Sequence, residues 1–222
     1  MHFKKLHPWK VSVKEALNIQ RDLRKTVVLE NKSLNLRRIA AVDVGYSDIM
    51  AKAVVCVFSF PQLKLLETEV TFQRVNFPYI PGLLSFREGP AILKTFRKIK
   101  NIPDLILFDG QGILHPRRMG LATHMGIILD LPTVGCAKSI LFGRFNLPKD
   151  KRGSFSYIYD EQSPEILGIA LRTRGKVKPV FVSCGYKIDL ERVKEIVLNL
   201  TFRYRIPEPL RIVHSLTKDG TV

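Results

Sequence analysis

The stretch "RIAAVDVGYSDIMAKAVVCVFSF", residues 38–60, decides how the chain is built. Its ends, "RIAAVDVGYS" and "AKAVVCVFSF", are rich in Val and Ala and read as strands, with "GYSDIM" between them as a turn. "KLLETEVTFQRV", residues 64–75, alternates apolar and polar positions as a half-buried third strand does. Three consecutive strands on short connections predict an antiparallel meander. Asp43 lies inside the first strand, where an unpaired carboxylate costs about several kcal/mol.

Helices and strands then alternate. Ser12 and Glu15 form a capping-box pattern, and Val13, Ala16, Leu17 and Leu23 share one face of the predicted helix. "GLLSFREGPAILKTFRKI", residues 82–99, reads as a helix kinked or restarted at Gly89-Pro90. "DLILFDG" is a short apolar strand suited to the middle of a covered sheet. "RMGLATHMGIIL" reads as helix, "PTVGCAKS", "SFSYIYD", "EILGIALRT" and "KPVFVSCG" as strands, and "DLERVKEIVLNL" and "EPLRIVHSLTKDG" as closing helices. This order predicts an α/β fold, a mixed central sheet flanked by helices. The 222 residues, 45% hydrophobic and without a low-complexity linker, are read as one domain spanning 1–222.

Lys plus Arg number 36 against 20 Asp plus Glu, a net +16 that points to a polyanion, nucleic acid first, with ribosomal RNA or an anionic membrane surface also fitting. The basic residues, among them Arg37-Arg38, Arg117-Arg118 and those within 149–152, 172–178 and 203–211, are scattered as on a folded basic surface. Three widely spaced cysteines without a C-x-x-C pair read as reduced thiols and argue against structural zinc. No apolar run approaches the length of a membrane span, and "MHFKKLHPWK" has no apolar signal-peptide core. A cytoplasmic monomer is expected, with no membrane partner.

Asp109 ends an apolar strand and is followed by Gly-x-Gly, the place where open sheets keep their ligand crevices. Structural ion pairing or turn capping explains such aspartates equally simply. Glu88 stands alone in an apolar helical run, and on periodicity alone solvent exposure fits it as well as function. His214 lies on an apolar helix face, the usual place of a core histidine, whereas His115 follows Asp109 on the crevice loop. Lys138 ends another apolar strand, either as a surface lysine or as a cation for phosphate. His2, His7 and His124 carry no such signal. Clustered carboxylates on a basic protein fit magnesium or manganese and in-line phosphodiester hydrolysis.

"FPYIPGLLSFREGP", "FDGQGILHPRRMGLATHMG", "PTVGCAKS" and "RIPEPLRIVH", in that order, closely resemble endonuclease V. The resemblance implies a ribonuclease H-like fold and a magnesium-dependent endonuclease. It also implies action on deaminated purines, chiefly inosine, at the second phosphodiester bond on the 3′ side, leaving a 5′-phosphate and a 3′-hydroxyl. It places the catalytic carboxylates on Asp43, Glu88 and Asp109, with Lys138, His115 and His214 as further site residues and Tyr79 as the wedge. Pro78 and Pro81 stiffen the backbone around Tyr79 and Ile80 into an apolar wedge that fills a base stack. The expected base pocket comprises Gly82, Leu84, Gly110, Gly112 and His115, with backbone N–H donors facing the oxygen that distinguishes hypoxanthine from adenine. Tight closure there is expected to exclude guanine's extra amine. The expected partner is DNA containing deoxyinosine. Inosine-containing RNA, another nuclease of the same fold class and a non-catalytic nucleic-acid binder are the alternatives, and the last leaves the three carboxylates unexplained.

Overall fold

The computed structural model describes residues 3–30 and 34–218; His2 and the end of the last predicted helix, residues 219 and 220, lie outside them. The meander forms as read. β1 (Arg38–Ser47), β2 (Met50–Ser59) and β3 (Leu65–Arg74) pair antiparallel in sequence. The connection β1–β2 is tighter than the sequence indicates. Both strands run into "GYSDIM" and leave only Asp48 and Ile49 between them.

β4 (Leu105–Phe108), β5 (Thr133–Ala137), β6 (Phe155–Tyr159), β7 (Ile166–Leu171) and β8 (Val180–Tyr186) complete one eight-stranded sheet, ordered β3-β2-β1-β4-β5-β8-β7-β6. β4 runs parallel to both β1 and β5, and the other pairs are antiparallel. Side chains of a strand alternate between faces. Ile39 and Ala41 accordingly pack with Val193, Ile196, Leu210 and Val213 of α4 (Leu190–Asn199) and α5 (Glu208–Lys218). Ala40 and Val42 pack with Ile92, Phe96, Leu121 and Ile128 of α2 (Leu84–Phe96) and α3 (Leu121–Leu129).

Three local readings are corrected. α2 runs unbroken through Gly89 and Pro90, with Trp9 packed against Gly89. α1 (Val13–Arg24) keeps its capping box, but Val13 is exposed and the buried positions are Ala16 and Gln20. Arg118 and Arg172 leave the basic surface for the interior. Arg118 donates to Asp160 at 2.6 Å and to Glu165 at 2.6 Å, bolting the loop before α3 to the β6–β7 connection. Cys56, Cys136 and Cys184 are free and buried in strands. Among the described residues, no helix is long and apolar enough to cross a membrane.

β5 presses against the loop that follows β4. A Cβ on Gly135 would meet Gly110 O at 2.7 Å and Gln111 C at 2.7 Å, both backbone atoms that cannot swing aside. Gly135→Ala is therefore expected to lower unfolding free energy by about 1–3 kcal/mol in urea denaturation.

Candidate active site

The parallel register places Val42 opposite Phe108. The residues that follow, Asp43 within β1 and Asp109 just past the end of β4, therefore lie side by side. α5 packs on β1 and adds His214. One ligand atom from each of Asp43, Asp109 and His214 lies within 4.8 Å of the others. His214 Nδ1–H donates to Asp43 Oδ2 at 2.7 Å, and Thr217 Oγ1 donates to the same oxygen at 3.2 Å. Lys138 Nζ donates to Asp109 Oδ2 at 2.6 Å.

Glu88 approaches from α2 on the other face and is buried. Burial pushes its carboxyl up to about 8; the Tyr46 hydrogen bond opposes the rise, and the charges of Asp43 and Asp109 add to it. Tyr46 OH donates to Glu88 Oε1 at 2.8 Å, and the Arg87 guanidinium lies 4.6 Å from the Tyr46 ring centroid. Two paired carboxylates with a third buried close by fit a divalent cation, and their oxygen donors fit a hard one.

The stiff loop ahead of α2 is pinned at both ends. Arg87 donates to Phe77 O at 2.9 Å, and Leu83 N–H donates to Ile80 O at 2.9 Å. Gly82, at φ +82°, has the left-handed conformation that glycine adopts freely. Its carbonyl accepts from Gln20, His115 and Arg117, each at 2.9 Å. The two wedge residues separate. Tyr79 projects with 69% exposure, while Ile80 packs on the cluster of Phe77, Leu83 and Phe86. Pro78 and Pro81 are exposed beside them.

A cleft of about 310 Å³ runs from Tyr79, Gly82 and Leu84 to Asp109, Gly110 and Lys138. At its back lies a recess of about 50 Å³ that shares Gly82, Leu84, Gln111 and Leu141 with it and adds Ser85, His115 and Gly120. α2 and α3 both begin here without a side-chain cap. Gln111 Oε1 is buried without a hydrogen-bond partner. Gly112 stands behind this wall rather than on it, with its N–H given to Ser183 Oγ at 2.9 Å. Gly110 gives its N–H to Phe108 O at 2.9 Å.

His115 is a structural member of the recess. Arg117 and Met119 donate backbone N–H groups to its Nδ1, at 3.1 and 3.4 Å, so Nε2 carries the proton given to Gly82. Both ring nitrogens are used, and burial with the nearby Arg117 charge lowers its pKa to about 4. His7 and His124, silent in the sequence, form a second neutral pair. Ser85 Oγ–H donates to His124 Nδ1 at 2.8 Å, His124 Nε2–H to His7 Nε2 at 2.7 Å, and His7 Nδ1–H to Pro8 O at 2.8 Å. Sequence reasoning also missed Tyr46, Thr217, Gln20 and Gln111. Only Gln20 left a clear trace, as a polar residue four positions after Ala16 on the apolar helical face.

A mixed sheet of this order, with carboxylates from β1 and the end of β4 meeting an imidazole from α5, defines a metal-dependent nuclease of ribonuclease H-like fold. The chain belongs to the Endonuclease V family, whose model matches residues 21–215, and it is an endonuclease. It is 48% identical to the Endonuclease V of Dictyoglomus turgidum, over 92% of this chain and 89% of the other. It is 44% identical to that of Trichormus variabilis, over 96% and 97%. The crystal structure of the Bacillus subtilis Endonuclease V superposes with a TM-score of 0.93 at 31% identity, covering 98% of this chain and 96% of the other. Ciona intestinalis Endonuclease V, solved with a 23mer DNA containing an inosine followed by a ribo-adenosine, gives a TM-score of 0.83 at 28% identity, covering 94% and 97%.

The two kinds of buried acid–base group oppose each other. The unfolded chain protonates its histidines below about 6.5, whereas folded His115 does so only near about 4. Its contribution is therefore present above about 6.5 and lost as pH falls toward the folded value. Glu88 does the reverse, contributing fully below the unfolded value and losing that contribution as pH rises through about 8. His115→Gln is expected to be less stable than the parent at pH 7. The gap should narrow by on the order of 3 kcal/mol by pH 4, measured as paired urea titrations across that range.

Proposed function

We propose that this endonuclease cuts DNA containing deoxyinosine. It holds the deaminated base in the recess beside Tyr79 and a magnesium or manganese ion among Asp43, Asp109 and His214. One observation carries the reading: Asp109 and Lys138 line the same cleft as Tyr79, Gly82 and Leu84. The site for chemistry and the site for a displaced base are thus continuous. The inosine-containing DNA bound by the Ciona relative supports the substrate. The bond cut is the second on the 3′ side, leaving a 5′-phosphate and a 3′-hydroxyl.

The cation, when bound, polarises the phosphodiester and acidifies the attacking water. Asp43 and Asp109 offer it carboxylate oxygens. Glu88, held by Tyr46, completes the surrounding negative charge and ionises as positive charge arrives. His214 is oriented by Asp43 through Nδ1, leaving Nε2 to accept the proton of the attacking water. Lys138, 42% exposed at its side chain, carries its charge to the phosphate or the leaving oxygen.

Selection of the base follows from which polar groups are spent and which are free. The Gly82 carbonyl, the His115 ring and the Gly110 and Gly112 N–H groups are all engaged. Phe86 N–H and Ala122 N–H are spent on Leu83 O and Gln111 O, and the remaining N–H groups of the uncapped first turns of α2 and α3, with their positive dipole ends, match the hypoxanthine oxygen. Gln111 Oε1 matches the neighbouring ring N–H. Adenine presents an amine to the donors and a lone pair to the acceptor, so both contacts turn repulsive. Tyr79, projecting from a pinned loop, fills the gap left in the stack without a further ordering cost.

Two labelled duplexes differing only by inosine or adenine test this reading in magnesium and in EDTA. A magnesium-dependent nick is expected on the inosine strand alone. Equal cutting of both would overturn the base pocket, and cutting in EDTA would overturn the metal site. Asp109→Ala should lower the rate by about 100-fold or more while inosine binding persists. Gln111→Ala should lower the preference for inosine over adenine by roughly 5- to 150-fold, the equivalent of about 1–3 kcal/mol for an unpaired buried group.

A further inference from the structure

We propose that the connection between α4 and α5, residues 201–207, is a stacking platform for unpaired nucleotides of the cut strand beyond the scissile phosphate, on the side away from the base recess. The inference rests on the nuclease reading above and extends it to the path of the strand past the metal cluster.

Phe202 and Tyr204 stand 65% and 41% exposed on this connection. Residues 201–207, "TFRYRIP", carry two arginines and no acid. The guanidinium of Arg211 lies 4.3 Å, and that of Arg203 5.7 Å, from the Tyr204 ring centroid. Arg211 is further fixed by a two-point pairing with Glu208, at 3.1 and 2.8 Å. Aromatic faces and guanidinium planes together accept any base by stacking and its phosphate by charge. Bases inside a duplex are stacked on one another and are not available to such a surface, so its occupant is an unpaired strand.

The connection is held rather than loose. Thr173 Oγ1 donates to Arg205 O at 2.6 Å and Arg174 to Arg203 O at 3.2 Å. Arg205 donates to Lys138 O at 2.6 Å and to Pro179 O at 2.8 Å. That last tether fixes the place of the platform, because Lys138 contacts Asp109 and lines the base cleft. Arg211 and His214 lie three residues apart on α5 and so share a side of it. A strand entering from the recess and crossing Asp109 and His214 arrives at Arg211, Tyr204 and Phe202.

The test uses 5′-labelled single strands carrying one inosine. One strand ends at the first nucleotide past the cut, and another extends roughly ten nucleotides further, within the span of such binding sites. On the longer strand, the double variant Phe202→Ala, Tyr204→Ala is expected to lose roughly 5-fold or more in kcat/KM, as expected for losing base stacking. On the shorter strand it should match the parent, and Phe202→Trp should retain parental activity on both. Both side chains are exposed, so folding is preserved, and thermal unfolding checks this directly. An equal loss on both strands, or none on either, overturns the platform and leaves the nuclease reading intact. A parent that nicks the inosine duplex but neither single strand also overturns the platform, whereas failure on the duplex as well overturns the reading of inosine cleavage.

Discussion

Val42 lies opposite Phe108 across a parallel strand pair, and the geometry of the centre depends on that register. A slip of one residue would turn one aspartate to the other face of the sheet and separate the two carboxylates. The register is held from both sides. Buried Val, Ile, Leu and Phe side chains alternate between two helical layers. The loop after β4 is packed so closely on Gly135 that no side chain fits between them. Like charges are thus brought together by apolar packing. Burial displaces the titration of Glu88 upward, and the charges of Asp43 and Asp109 add to the displacement.

The recess follows a related logic. Gly82 O is crowded by three donors, whereas Gln111 Oε1 has none, although both belong to the same wall. Groups that fix the wall are saturated, and a group able to read a base is left open. This also explains why His115, which looked like a contact for the base, acts on the loop instead. Its two nitrogens are consumed by backbone groups, so it shapes the recess without presenting a free ring nitrogen to it.

Much of this was legible before any coordinates. The meander was written in two Val- and Ala-rich runs and one alternating strand, and Asp43 and Asp109 stood out because carboxylates are misplaced in apolar strands. Glu88 and His214 were ambiguous from their helices alone, and the family motifs resolved them. Tyr46, Thr217 and Gln111 were not legible, because each acts through a partner distant in sequence: Tyr46 through Glu88, Thr217 through Asp43, and Gln111 through the cavity it borders. Val13 was misplaced because the stripe of α1 rotates toward Gln20, which enters the interior to meet Gly82 and Met119. Gly89-Pro90 signalled a kink or a restart; the helix does not restart there, and Trp9 occupies the space that glycine leaves.

Gln20, His115 and Arg117 meet on one carbonyl, that of Gly82. Gln20 comes from the opening helix, far in sequence from the other two, and Arg117 also donates to Gln20 Oε1 at 2.6 Å. No one of the three can drift without leaving a buried neighbour unmatched. A change at any one of them is felt at the recess through the other two. The opening helix, outwardly a covering layer, is thus a strut of the recess wall.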